Sequence, residues 1–303
     1  MEYVLRTNLL TKAYHNKIAV NQLNMNVHKG DIYGFIGKNG AGKTTLMKMV
    51  CGLVKPTSGK FELFQENNLK RGRKRCGLII EHPAFYPNMT AEENLKYYAY
   101  LIGVTDKIVV KNLLQAVGLC EAQHVKTKNL SLGMKQRLAI AIALIGNPDF
   151  LILDEPMNGL DPEGIKDIRE LLLKLNQEND ITILISSHIL GELYRIATRY
   201  GVIENGRMIE EFTKEELDER CKQYIKLKVD DTKKASYIIE EYLGTKKYEV
   251  LPERVIHLYD LFHSTGEVNK VLVKNDIIVD AISLEGADLE AYFMKLMGGK
   301  ENA

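Results

Sequence analysis

Residues 37–44 read Gly37-Lys38-Asn39-Gly40-Ala41-Gly42-Lys43-Thr44, and no other stretch constrains the fold of this 303-residue chain as strongly. The spacing is G-x-x-x-x-G-K-[ST], a loop that works only between a buried strand and a helix. Glycines at its ends let the backbone turn its amides inward around an anion with no Cβ in the way. The amino end of the following helix adds partial positive charge. Such a pattern arises by chance in roughly one chain of this length per hundred, so its neighbours decide. Before it stands the apolar run Ile32-Tyr33-Gly34-Phe35-Ile36, and after it the helix-forming Thr45-Leu46-Met47-Lys48-Met49. The expected ligand is therefore a nucleoside triphosphate. Lys38, Asn39, Gly40, Ala41 and Thr45 join Gly37 and Gly42 in the cradle, Lys43 reaches the β- and γ-phosphates, and the Thr44 hydroxyl takes a position on Mg2+.

Around this loop the chain alternates β-branched runs with helical patterns, which predicts an α/β fold with a mostly parallel central sheet. Residues 31–36, 77–80, 150–153 and 181–186 read as its central strands, the last two almost wholly apolar as strands covered on both faces should be. Residues 44–51, 91–100, 107–117, 133–145 and 163–176 read as helices, several of them forming a helical subdomain. Residues 5–10 and 23–27 are expected in an antiparallel edge sheet, with strands 201–204 and 208–212 placed elsewhere. The charged stretch 213–222 reads as a connector helix between an ATP-binding domain over 1–212 and a small α+β domain over 223–303. In that last part strands at 224–229, 248–251, 255–259 and 277–284 alternate with helices at 234–243 and 267–274, the βαββαβ order of a ferredoxin-like domain. A closing helix is expected over 289–297.

The strand Phe150-Leu151-Ile152-Leu153 ends in Asp154-Glu155. A buried strand delivers its last side chains to the carboxyl edge of the sheet, where ligands bind in such folds. Asp154 is then placed to hold Mg2+ and Glu155 to polarise the water that attacks the γ-phosphate. The plain structural alternative, two acids opening a turn at Pro156, loses weight beside the phosphate loop.

These residues resemble the ATP-binding subunits of ABC transporters, and the resemblance covers residues 1 to about 212. Leu130-Ser131-Leu132-Gly133-Met134-Lys135-Gln136-Arg137 is similar to the signature loop of that family, with Leu132 and Met134 where Gly and Gln are usual. In the family this loop serves the γ-phosphate on an opposite subunit. The resemblance therefore implies that Ser131 and Gly133 act in a head-to-tail dimer with a second copy or a paralogue. Asn158-Gly159-Leu160-Asp161 resembles the loop crossing the dimer seam, although Asp161 before Pro162 also reads as an ordinary helix start. His188 matches the switch histidine that contacts the γ-phosphate. Tyr14 sits where the family stacks an aromatic ring on adenine, and Val20 belongs to the same expected nucleotide contact. Glu81 stands where most relatives carry a glutamine touching the metal; a carboxylate is also a hard oxygen donor. That substitution, the wording of the signature loop and the chain length resemble the branch that protects bacteria from bacitracin and lantibiotics. What this implies is an ATPase powering export of such a compound through a separate membrane permease, held peripherally on the cytoplasmic face of the membrane.

Composition excludes other classes. With 41 basic and 40 acidic residues the chain carries no field that would pull it onto nucleic acid. A soluble ABC-type ATPase acting on ribosomes or DNA is the runner-up, but the chain has neither two ATPase halves nor a coiled-coil insertion; a GTPase-like switch does not explain the signature loop or Tyr14. No basic start with an apolar stretch marks a signal peptide, and the longest apolar run, 138–145, falls short of the roughly 20 residues a bilayer needs. Cys51, Cys76, Cys120 and Cys221 lie far apart and are expected to be small apolar core residues of a reducing compartment.

Overall fold

The computed structural model describes residues 2–66, 68–81, 84–261, 264–286 and 289–297. His82 and Pro83, part of the Glu81 segment, and residues 298–303 of the expected C-terminal domain lie outside the described residues. The chain divides into two compact units, Met1–Lys214 and Glu215–Ala303.

A six-stranded sheet is the frame of the first unit. Its order is β5 (Cys76–Ile79), β6 (Phe150–Asp154), β7 (Thr182–Ser187), β3 (Ile32–Ile36), β8 (Arg199–Glu204) and β9 (Arg207–Thr213). All neighbours are parallel except the last pair. Every residue of β3, β6 and β7 is buried, as apolar strands covered on both faces must be. The strands expected elsewhere over 201–204 and 208–212 belong to this sheet, as its β8–β9 edge.

A second sheet, of three antiparallel strands, runs in the order β2 (Lys17–His28), β1 (Tyr3–Tyr14), β4 (Ser58–Leu63). The first two answer the edge sheet read from the sequence, but β4 does not announce itself there. Its Ser-Gly-Lys-Phe-Glu-Leu is half polar because only Phe61 and Leu63 face the core. Helix α1 (Lys43–Cys51) packs against β6 and β2. Its Leu46, Met47, Met49 and Val50 are fully buried in a cluster that also holds Leu5, Val20, Phe35 and Phe150. Each such side chain contributes about 1.5–3 kcal/mol, enough to fix the loop at the start of the helix.

The helical subdomain consists of α3 (Ala91–Leu101), α4 (Lys107–Ala116) and α5 (Leu132–Leu144), packed on one another, with α5 also against β5 and against α6 (Pro162–Asn179). Two short helices, α2 (Leu69–Arg73) and α7 (Leu190–Ile196), complete the unit. Helix α8 (Lys214–Arg220) lies at the division between the units.

The second unit is β10 (Tyr224–Val229), α9 (Thr232–Leu243), β11 (Tyr248–Leu251), β12 (Val255–Leu258), α10 (Thr265–Lys274) and β13 (Val279–Glu285), followed by α11 (Leu289–Leu296). Its sheet order β11-β12-β10-β13 is antiparallel throughout. That is the ferredoxin-like arrangement the element order implies. Its core joins Ile225 and Leu227 of β10 to Ile238, Ile239, Val268 and Leu272 of the two helices.

The cysteines divide. Cys51, Cys76 and Cys221 are half-buried, but Cys120 is exposed, contrary to the expectation that all four are core residues. Cys120 follows the carboxyl end of α4 in a turn over residues 118–124, where the backbone presents its side chain to solvent. Burial pushes the thiols of Cys51 and Cys76 up to about 12. Only a thiolate is nucleophilic, so at pH 8 these two groups stay protonated and inert. In the native protein an aromatic disulfide reagent should label Cys120 rapidly and leave Cys51 and Cys76 unreacted until denaturant is added; rapid native labelling of Cys51 or Cys76 would contradict the burial.

Candidate functional site

Register across the sheet assembles the site. Ile36 of β3 lies opposite Ser187 of β7, and Ser186 of β7 opposite Asp154 of β6, so three strands end together. The loop after β3 thus faces the two acids across one intervening strand. Helix α1 begins at Gly42, which has φ +116° and offers no side-chain cap, so the amides of its first turn point out of the helix without one. A Cβ on Gly42 would collide with the Ala19 carbonyl oxygen, and one on Gly37 would lie 2.6 Å from the Ile203 carbonyl oxygen. Both glycines are demanded by close backbone approach.

Lys43 is only 5% exposed. Its ammonium donates to the carbonyl oxygens of Gly37 at 2.5 Å and Lys38 at 3.4 Å, and lies 3.3 Å from Oε1 of Glu155. The other oxygen of that carboxylate, Oε2, is 2.7 Å from Nδ1 of His188. Glu155 is therefore held between a buried cation and an imidazole, whose Nδ1 can donate to the carboxylate. Its backbone has φ +50°, a left-handed turn unusual for a residue with a side chain. Hydrogen bonds from its N–H to the hydroxyl (3.0 Å) and the carbonyl oxygen (3.2 Å) of Ser186 hold that turn. Asp154 is buried and accepts from Ser186 Oγ at 2.6 Å and from Thr44 Oγ1 at 2.7 Å.

Ser186 is the residue that sequence reasoning missed. It is fully buried, and it orders both acids at once. The signal was a hydroxyl side chain at the end of the apolar run over 181–186, legible only once β7 is known to lie beside β6.

A cavity of about 320 Å³ opens over this group, lined by Tyr14, Lys17, Lys38, Asn39, Gly40, Gly42, Lys43, Thr44, Thr45 and Glu155. Ala41 is buried under the loop, and Val20 is fully buried behind Gly42 in the core. Tyr14 is 42% exposed, with the Lys12 ammonium 4.8 Å from its ring centre. Glu81, at φ +60°, pairs with Lys48 of α1 at 2.6 Å. That ion pair is largely exposed, so it contributes at most about 1 kcal/mol.

The remaining expected residues meet elsewhere. Ser131, Gly133 and Asp161 line a separate cavity of about 470 Å³ with Arg137, Gly159 and Asp167. Ser131 and Asp161 are helix caps: Ser131 Oγ accepts from Met134 N at 3.2 Å and Asp161 Oδ1 from Gly164 N at 3.0 Å, so the ordinary helix start read at Asp161 is present. A hydroxyl that accepts one bond still donates another. A Cβ on Gly133 would find no neighbour closer than 4.0 Å, so space in front of it is open. Arg137 donates to Asp167 and fastens the second turns of α5 and α6 together.

Chemically, the cavity at Lys43 presents uncapped amides, an ammonium and two carboxylates, which suits a polyphosphate and a divalent metal. Thr44 and Asp154 are hard oxygen donors in contact, and Oε1 of Glu155 is buried with no hydrogen bond, so the donor set fits Mg2+ and an activated water. Replacing Ser186 by alanine removes the bonds that order both acids. We expect kcat for ATP hydrolysis to fall about 10–100-fold, with little change in KM and an unchanged circular dichroism spectrum; wild-type kcat would show that the acids are held by other means.

The comparisons with known proteins agree with this geometry. A family model described as ABC transporter matches residues 20–158. The bacitracin transport ATP-binding protein BcrA of Bacillus licheniformis is 45% identical over 306 aligned residues, covering 99% of each chain. The lantibiotic transport ATP-binding protein SrtF of Streptococcus pyogenes is 44% identical over 68% of this chain and 89% of its own. Among solved structures, an ATP-binding cassette in a dimeric post-hydrolysis state bound to ADP and Pi matches with a TM-score of 0.61 and 25% identity, covering 69% of this chain and 98% of that one. The chain belongs to the ATP-binding subunits of ABC transporters and hydrolyses ATP to ADP and phosphate to power transport.

Proposed function

We propose that two copies of this chain close head to tail around two ATP molecules, and that hydrolysis reopens them to drive a permease exporting a peptide antibiotic of the bacitracin or lantibiotic type. The observation that carries the substrate class is the likeness to BcrA over 99% of both chains, which includes the ferredoxin-like unit as well as the ATPase. Resistance or immunity to such compounds is the biological outcome. Among the described residues no helix is long and apolar enough to cross a membrane; in this reading the permease is a separate chain, and this one is held peripherally at its cytoplasmic face. The exposed Tyr100, Leu101 and Ile102 at the end of α3 are apolar surface of the kind that protein contacts cover.

Within one copy, Lys38, Asn39, Gly40, Gly42, Lys43 and Thr45 hold the phosphates, Gly37 and Ala41 shape the loop, and Tyr14 stacks on adenine with Val20 packed behind. Thr44 and Asp154 would hold Mg2+, with Glu81 as a further oxygen donor, and the bound metal would supply charge neutralisation to the phosphates beside the positioning that the loop provides. Glu155 accepts the proton of the attacking water, and His188 orients that carboxylate from its outer side. Ser131 and Gly133 of the other copy face the γ-phosphate, with Asp161 at the seam.

A bacitracin-sensitive host expressing the chain with its permease should gain resistance to a peptide antibiotic of this class. Lys43→Ala should abolish that gain by losing nucleotide affinity. Glu155→Gln should abolish it with ATP still bound and turnover reduced about 10²–10⁴-fold. Resistance that is absent with the wild-type pair, or that survives Glu155→Gln, would contradict the proposal.

A further inference from the structure

Asn94 is fully buried one turn into α3, yet it is polar. Its side chain joins three segments. Oδ1 accepts from Tyr86 N at 2.9 Å, while Nδ2 donates to Thr127 Oγ1 at 2.8 Å, Thr90 O at 2.9 Å and, more weakly, Tyr86 O at 3.2 Å. Around it the backbone of two loops is zipped together. Thr127 N donates to Met89 O at 2.9 Å, Lys128 N to Pro87 O at 3.1 Å and Ala91 N to Val125 O at 3.2 Å. The Thr127 hydroxyl also donates to Met89 O, at 3.0 Å.

The two loops have different destinations. The segment 84–90 follows Glu81 within a few residues, and the Tyr98 hydroxyl grips it again at the Ala84 carbonyl oxygen. The segment 123–130 runs through a 3-10 turn, Thr127–Asn129, directly into Ser131, the cap of α5. Only a side-chain amide of this length accepts from one amide and donates to a hydroxyl and a carbonyl at once. Aspartate lacks the donors, and leucine of similar size lacks both functions. Buried networks of this kind are rigid when every member is satisfied.

We propose that Asn94 is a positioning residue that makes the segment 84–90 and the lead-in to Ser131 one rigid piece, so that the first sets the position of the second. This rests on the reading that Ser131 serves the ATP of a second copy. Asn94 touches no nucleotide; it acts through Thr127 and Ser131.

The test uses the full chain carrying Glu155→Gln, in which ATP-driven dimerisation is followed by sedimentation velocity and ATP affinity by a fluorescent ATP analogue. Kinetics are measured in the otherwise wild-type protein. Because Asn94→Ala risks misfolding, Thr127→Val is the main variant: it keeps shape and removes the hydroxyl. ATP affinity should stay within about twofold, while dimerisation and kcat fall about tenfold, the size expected when one buried hydrogen-bond partner is lost. Thr127→Ser, which keeps the hydroxyl, should restore both. A merely structural role would not split affinity from turnover in this way, nor be rescued by serine. Wild-type dimerisation and kcat in Thr127→Val would overturn the role of Asn94. Wild-type dimerisation in Ser131→Ala would instead overturn the second-copy reading on which the role depends.

Discussion

A buried ammonium has to be surrounded by oxygen, and the position of Lys43 makes that demand on everything near it. An unpaired charge at such a depth costs several kcal/mol. Here the demand is met by the Gly37 and Lys38 carbonyl oxygens and by the carboxylate of Glu155. To bring Glu155 within 3.3 Å, the ends of β3, β7 and β6 have to be level, and the register sets them so. The left-handed turn at Glu155 and the hydrogen bonds of Ser186 then aim the carboxylate back over the loop. Phosphate oxygens are a further set of acceptors for the same ammonium, so one physical requirement links fold, acid pair and ligand.

Helix ends explain why the functional residues fall into two groups. At α1 the helix starts on a glycine and leaves its first amides without a side-chain cap, next to Lys43 and the acids. At α5 and α6 the starts are capped by Ser131 and Asp161, and both face a different cavity with Gly133 between them. The first cavity has the charge to hold a polyphosphate and the groups to activate water. The second has a hydroxyl, open space in front of a glycine and two positive helix ends, but no acid placed like Glu155. On its own neither cavity holds the full set of groups that the proposed mechanism uses. Two copies in antiparallel register would supply it twice.

What could be read from the chain alone followed covalent spacing. Gly37 to Thr44 and Asp154-Glu155 work through residues adjacent in sequence, so their pattern survives without coordinates. The parallel strands were legible because burial on both faces leaves an uninterrupted apolar run, whereas the second unit, whose strands are buried on one face only, was legible from the βαββαβ order of its elements. Features set by register were not legible. Strand β4 is half polar, Ser186 acquires its partners only beside β6, and the Glu81–Lys48 pair joins a loop to a helix 33 residues away. Cys120 is exposed because of a turn whose geometry its neighbours in sequence do not declare. Asn94 lies in a helix that was legible, but its partners Tyr86 and Thr127 come from two loops that only the fold brings together.

The central claim is that a working site takes Lys43 and Glu155 from one copy and Ser131 from another. Mixing two variants that are each inactive, Lys43→Ala and Ser131→Ala, tests it most directly. A mixed pair contains one composite site with both defects and one with neither, so ATP hydrolysis should reappear on mixing. A mixture as inactive as its two components would mean that each chain completes its own site, and the account would fail.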